Sequence, residues 1–321
     1  MGAVHLYLIR HGESVDNVAN LYALFVGVAR VCSAGSRDAP LTNHGVLQAK
    51  RLGEHLAART AAAPAPITHV FSSNLQRAHR TAMLVAPVSP TPSLPTGDAD
   101  ALASSCSDVG RTASIVGAIP LQLAELREKH FGTGEGQRFG ARSSGDRQEG
   151  AEDHDSMRVR AERFVNEYLA PLFACIEGER DEEQEGASSD TESIIIVAHG
   201  IILGVLARVL LSAGNFGSLV TGTAGQQQHF SWSNTGYLLI HVKTMPLAVD
   251  AKESATGSRG GTLDAKWPHL NLEIVEVNCT DHLRGLKKTR GGIGSAKFDE
   301  KQKTLSAFFK PTASKRKHED S

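Results

Sequence analysis

Residues 193–198 read Ser-Ile-Ile-Ile-Val-Ala, an apolar run with no alternating polar positions. A strand with one face in water alternates between apolar and polar side chains. An unbroken Ile/Val run marks a strand covered on both faces, the situation of a parallel sheet flanked by helices. His199-Gly200 follows directly, and 200–211 then returns as an apolar helix. The same grammar recurs along the chain. Residues 4–9 form a short β-friendly run that ends in a polar cluster, 69–72 a second strand, and 74–85 a second helix. Thr42 is placed to cap a helix whose apolar side carries Val46, Leu47, Leu52 and Leu56, and which must stop before Pro64 and Pro66. The spacing of Val159, Phe164, Val165, Tyr168, Leu169 and Leu172 predicts a long helix over 157–176. Strands alternating with helices predict an α/β layered fold with a mainly parallel sheet.

Segments near 23–36, 88–112, 132–155 and 177–192 read as insertions between these elements, with too little apolar content to order themselves except in the first. The first could serve as a lid. From Arg284 onward the chain becomes rich in Lys, Gly and Ser, which predicts a folded domain over 1–283 and a disordered tail over 284–321. Lys and Arg total 34 against 35 Asp and Glu, a balance that excludes a globally basic nucleic-acid coat, so no direct nucleic-acid binding by the folded domain is expected. The four cysteines, Cys32, Cys106, Cys175 and Cys279, lie far apart without a Cys-x-x-Cys pair. That pattern speaks against a disulfide framework and a zinc ribbon, and fits a reducing intracellular compartment, nuclear or cytoplasmic. The opening residues lack a basic n-region before a long apolar run, and Leu6 stands where N-myristoylation needs Ser or Thr. The apolar stretch 194–211 is interrupted by His199, Gly200 and Arg208, so it is read as strand and helix and no membrane association is expected.

The chemistry begins at Arg10-His11-Gly12-Glu13, directly after the first strand. In open α/β sheets ligands bind beyond the carboxyl ends of the strands, which is where these side chains fall. Arg10 offers a fork of donors suited to phosphate oxygens, and a neutral His11 offers a nucleophilic nitrogen. Gly12 lets the backbone turn beside the bound group. Arg77 comes from the first turn of the helix after the second strand, where free N–H groups already attract anions. His199 repeats the arrangement of strand end, His, Gly and helix start. The loop 126–132 (LREKHFG) supplies a carboxylate. Two His and two Arg at strand ends would build a pocket for a dianion. The remaining histidines, among them His5, His44, His55, His69, His79, His130 and His154, show no metal-ligand spacing and read as surface or packing residues. Phe230 and Trp232 are expected to pack a late strand.

These pieces resemble the histidine phosphatase superfamily, also called phosphoglycerate mutase-like. The resemblance rests on 8–13 (LIRHGE) with Asn17, 41–45 (LTNHG) with Gln48-Ala49, Ser72-Ser73 with Arg77-Ala78 and Thr81-Ala82, 126–128 (LRE), and 197–200 (VAHG), in the family's order over residues 4 to about 242. It implies a three-layer α/β/α sandwich. It also implies that His11 attacks phosphorus in line to form a phosphohistidine, and that Arg10, Asn17, Arg77 and His199 bind the phosphoryl oxygens. Glu128 would protonate the leaving oxygen and then deprotonate water. Glu125 is the competing carboxylate; Glu128 is preferred because it stands four residues before Gly132, the family's spacing. Glu135 matches the Glu-Gly that follows this loop in the family, whereas Gly134 stands where the family has Trp. Such a mechanism needs neither metal nor organic cofactor. The implied function is phosphomonoester hydrolysis on a phosphorylated substrate. The alternatives are a phosphoglycerate mutase-type phosphotransfer and a non-catalytic scaffold in a nuclear complex. The segment 132–155 is unlike a compact mutase substrate loop, which favours hydrolysis.

The tail carries a separate signal. In 302–309 (QKTLSAFF) a short helical turn would place Leu305, Phe308 and Phe309 on one side, behind a leading Gln302. Adjacent phenylalanines in a Lys-rich segment have no core of their own, so a partner groove is their natural home. The octapeptide resembles the PCNA-interacting peptide box that docks on the replication sliding clamp. Lys310, Lys315, Arg316 and Lys317 supply a basic flank that also resembles a nuclear-import patch. The competing expectation is that the two phenylalanines fold back on the domain.

Overall fold

The computed structural model describes residues 3–18, 35–62, 65–86, 119–135, 149–178, 191–212, 215–220, 230–244, 265–289 and 292–300. The expected insertion 88–112 and the clamp-like motif 302–309 lie outside the described residues. Among the described residues seven strands form one sheet: β1 (Ala3–Arg10), β2 (Ile67–Ser73), β3 (Leu121–Leu123), β4 (Thr191–Ala198), β5 (Phe216–Val220), β6 (Tyr237–Thr244) and β7 (Trp267–Cys279). Their order across the sheet is β3-β2-β4-β1-β6-β7-β5. β1 pairs parallel with β4, β4 with β2, and β2 with β3, whereas β6 runs antiparallel to both β1 and β7. Among the described residues five α-helices surround the sheet: α1 (Asn43–Ala62), α2 (Gln76–Val85), α3 (His154–Phe164), α4 (Ala170–Gly178) and α5 (Gly200–Leu210). A π turn, Val165–Leu169, joins α3 to α4, so the long helix expected over 157–176 is one rod with a local loosening.

The alternation of side chains along β1 and β4 explains the unbroken apolar run. Val4, Leu6, Leu8, Ile194, Ile196 and Ala198 face a layer that includes Met157, Phe164, Leu169, Phe173, Ile202 and Leu206. Tyr7, Ile9, Ile195 and Val197 face the other layer, with Leu52, Leu56, Ala78 and Val85. Helices therefore cover both faces, giving the three-layer α/β/α arrangement. Burying each such side chain contributes roughly 1.5–3 kcal/mol, so the central strands anchor the fold. Thr42 caps α1 as expected, its Oγ1 accepting from Gly45 N at 3.0 Å. Two apolar positions read as inward are not. Leu47 is 43% exposed and Val159 49%. The helical period places Gln48 and Ala49 on the buried side of α1, and Met157 and Ala161 on that of α3. Phe230 and Trp232 belong to no strand; they precede β6 and pack against the first of the two layers. Among the described residues no helix is long and apolar enough to cross a membrane.

The segment expected as a disordered tail from Arg284 is folded through residue 300 within its described part. Lys288 Nζ pairs with both carboxylate oxygens of Glu13 at 2.9 Å. Asn43 N donates to the Ala296 carbonyl and Phe298 N to the Leu41 carbonyl, both at 3.0 Å. Arg80 pairs with Glu300 and lies over the Phe298 ring. The folded body thus reaches past 283, because polar main chain and charged side chains supply contacts that low apolar content cannot.

Candidate active site

Parallel pairing brings the dispersed motifs to one edge. In the β1–β4 register Arg10 lies opposite Ala198, so the next residue of each strand, His11 and His199, emerges side by side. Their ring centroids are 4.9 Å apart. In the β4–β2 and β2–β3 registers Ser72 faces Val197 and Ser73 faces Leu123, which lines up the ends that lead to Arg77 and to the 126–132 loop. The structure therefore gathers Arg10, His11, Arg77, His199 and Glu128 around the carboxyl ends of four parallel strands.

His11 is 3% exposed. Its Nδ1 lies 2.7 Å from the Gly12 carbonyl, which can only accept, so Nδ1 carries the proton. The lone pair on Nε2 faces Arg77 Nε at 3.2 Å. Burial, then Arg77 and Arg10, hold the His11 ring well below the ordinary histidine range. His199 is fully buried and is depressed by the same burial, by Arg77, by His11 and by Arg10. Both rings are neutral near pH 7. Neither nitrogen of His199 bonds to another described residue, nor does the buried Nε of Arg10. Buried polar groups are costly unless they meet partners, and such clusters mark functional sites.

Arg77 is 1% exposed, yet its guanidinium is held by main chain. Nη2 donates to the Gly35 carbonyl at 2.8 Å and Nη1 to the Arg37 carbonyl at 2.5 Å. The described end of the 23–36 insertion therefore lies directly on the site, where Ser36 also donates N–H and O–H to Glu135 Oε1 at 3.0 and 3.1 Å. Arg10 donates from Nη1 to the Trp232 carbonyl at 2.5 Å. Carbonyl dipoles orient both guanidinium groups without cancelling their charge. Asn17 accepts at Oδ1 from Ser14 N, Ser14 Oγ and Asn234 Nδ2, each at 3.1 Å, which turns its amide nitrogen into the donor edge.

Glu128 and Glu125 part company. Glu128 accepts from Lys129 N at 2.9 Å, Ile201 N at 3.2 Å and Ile202 N at 3.3 Å, which seats its carboxylate at the N-terminus of α5, beside His199. It is the foremost negative neighbour acting on both Arg10 and Arg77. Glu125 instead points to α3, 3.9 Å from Arg163. Glycine at the centre of the site answers to close approach. A Cβ on Gly12 would lie 2.6 Å from the Gly45 carbonyl oxygen, and one on Gly45 2.0 Å from that of Glu13.

Thr81 was marked by the sequence but given no role, and Asn234 and Thr235 were not marked at all. Thr81 Oγ1 accepts from Gly12 N at 3.0 Å and donates to the Arg77 carbonyl at 2.7 Å, tying the two halves of the site together. Asn234 Nδ2 donates to the His11 carbonyl at 3.1 Å. Thr235, at a left-handed φ of 57°, donates its N–H to the Arg10 carbonyl at 3.0 Å and its side chain meets His282 at 2.9 Å. Only the Asn-Thr-Gly composition of 234–236 hinted at a tight turn there.

The chain is similar to several known proteins. The sequence profile of the histidine phosphatase superfamily (branch 1) matches residues 6–103. A Schizosaccharomyces pombe protein described as a "probable phosphatase" is 28% identical over 309 residues, covering 94% of this chain and 78% of that one. The adenosylcobalamin/alpha-ribazole phosphatase of Salmonella typhimurium is 39% identical over 82 residues, 26% of this chain and 32% of that protein. Among solved structures, phosphoglycerate mutase from Bacillus anthracis aligns over 88% of this chain and 96% of its own, with 17% identity and a TM-score of 0.49. Over residues 6–103 the chain is similar to the histidine phosphatase superfamily (branch 1).

Because the folded-state pKa values of His11 and His199 lie below the ordinary 6.5, the unfolded chain binds more protons, and stability rises with pH. His241 and His282, each pushed down to about 4, act in the same direction. The contribution is complete above about 6.5 and is withdrawn as pH falls toward 4. Thermal melts should therefore show a Tm that drops between about pH 7 and about pH 5, with a shallower drop in His199→Asn. A Tm that stays level over this interval contradicts the neutral state of the buried rings.

Proposed function

We propose that the domain hydrolyses phosphomonoesters in two in-line steps through a phosphohistidine on His11. The observation that carries this reading is the unprotonated Nε2 of a neutral His11, its Nδ1 locked on Gly12, set among the buried Arg77, the half-buried Arg10 and His199. In the first step the Nε2 lone pair forms the P–N bond while the ester P–O bond breaks. Glu128 gives its proton to the leaving oxygen. In the second step water attacks phosphorus, its proton passes to Glu128, and the P–N bond breaks to release phosphate and restore both residues. Arg10, Arg77, the donor edge of Asn17 and His199 would hold the equatorial oxygens and offset the charge that spreads over them. Arg77 Nε would turn from Nε2 to a phosphoryl oxygen as the substrate arrives.

Hydrolysis is favoured over phosphotransfer because the relative whose sequence matches 94% of this chain is described as a probable phosphatase, whereas the sequences of relatives described as phosphoglycerate mutases match 26% of it. A non-catalytic scaffold has no physical need for four converging phosphate ligands. For the tail we propose that 302–309 docks on the sliding clamp through Leu305, Phe308 and Phe309, with Gln302 leading, and brings the phosphatase to nuclear replication or repair sites. The support is the motif and its basic flank.

Incubation with an aryl phosphate should release phosphate and, on rapid denaturation, leave an acid-labile phosphoryl group on the protein. Both should vanish in His11→Ala. Release that persists in His11→Ala, or phosphate exchange between phosphoglycerate positions without release, contradicts the proposal. For the tail, Phe308→Ala with Phe309→Ala should abolish retention of the full chain on immobilised PCNA; undiminished retention contradicts clamp docking.

A further inference from the structure

The loop that carries Glu128 is gripped from both sides by one ion pair. Arg160, on α3, has a side chain only 15% exposed and commits all three guanidinium nitrogens. Nε donates to Glu152 Oε1 at 2.6 Å and Nη2 to Glu152 Oε2 at 3.0 Å, a two-pronged fork. Nη1 donates to the carbonyls of Glu125 at 2.6 Å and Arg127 at 2.7 Å. Glu152 Oε2 in turn accepts from His130 N at 3.2 Å. The main chain is thus fixed at 125 and 127 before Glu128, and at 130 after it.

We infer that Arg160, oriented by Glu152, is a positioning residue for Glu128, holding its carboxylate at the N-terminus of α5 where its proton can reach the leaving oxygen. The inference rests on the general-acid reading of Glu128. A planar guanidinium reaches both oxygens of a carboxylate and two carbonyls at once; the three N–H donors of a Lys ammonium keep the charge but cannot serve all four acceptors or form the fork. Arg160 also helps to keep His199 unprotonated, and Lys at this position preserves that charge, so the substitution isolates geometry. A displacement of about 1 Å at a reacting group can cost up to about 100-fold in rate.

The test compares Arg160→Lys, Glu152→Gln and Glu128→Gln with the unaltered full chain on two substrates. One is an aryl phosphate whose phenolate leaves unaided, the other an alkyl phosphate whose oxygen must be protonated. The quantity read is kcat/KM, which reports the first phosphoryl transfer. Arg160→Lys should lose about 10- to 100-fold on the alkyl ester and less than about 3-fold on the aryl ester, with no further loss when added to Glu128→Gln. Glu152→Gln should show the same selectivity, and it decides the matter if Arg160→Lys does not fold. Equal losses on both esters, or a loss that adds to that of Glu128→Gln, overturn the positioning role. If Glu128→Gln itself fails to discriminate between the esters, the general-acid reading falls, and the inference falls with it.

Discussion

Pairing of β1 with β4 sets the distance between two residues that lie far apart along the chain. With Arg10 opposite Ala198, His11 and His199 are the next residues out of the same edge. A slip of one position would turn every side chain of one strand to the opposite face. That slip is prevented by apolar burial on both sides: Ile194 and Ile196 fit the layer of α3, α4 and α5, and Ile195 and Val197 fit that of α1 and α2. The precision of the site is therefore inherited from non-directional burial of isoleucine and valine, and the polar groups need only the last turn of backbone to meet.

Around this pair the protein arranges charge without neutralising it. The carbonyls of Trp232, Gly35 and Arg37 orient Arg10 and Arg77, and a carbonyl on Gly12 settles the proton of His11. Dipoles used in this way leave the pocket positive and cost no reorganisation when negative charge develops. The carboxylate that acts most on both guanidinium groups is Glu128, and amides at the start of α5 hold it. The same burial that concentrates the positive field keeps both imidazoles neutral, the state that the proposed attack by His11 requires.

Arg10, His11, Arg77 and His199 were legible because each follows a strand whose apolar pattern is strong, and strand ends in such a sheet point to one cleft. Glu128 could be found only by its spacing to Gly132; the contacts that separate it from Glu125 are tertiary. Arg160 and Glu152 carried no signal, since one sits on the polar side of a long helix and the other in a segment read as an insertion. The turn at 234–236 and the folded stretch from 284 to 300 were hidden for a related reason. They are held by long-range polar contacts, such as Lys288 with Glu13 and Thr235 with His282, that leave no periodicity. Leu47 and Val159 show the opposite error, in which apolar identity was taken for burial although the helical period turns both outward.

In the proposed reaction the phosphoryl group moves twice, first to His11 and then to water. Hydrolysis of a phosphomonoester made chiral at phosphorus by oxygen isotopes separates the two-step route from direct attack by water. Two in-line displacements invert the centre twice and must give inorganic phosphate with overall retention. Overall inversion would mean that water attacks the ester directly and that His11 never bears the phosphoryl group.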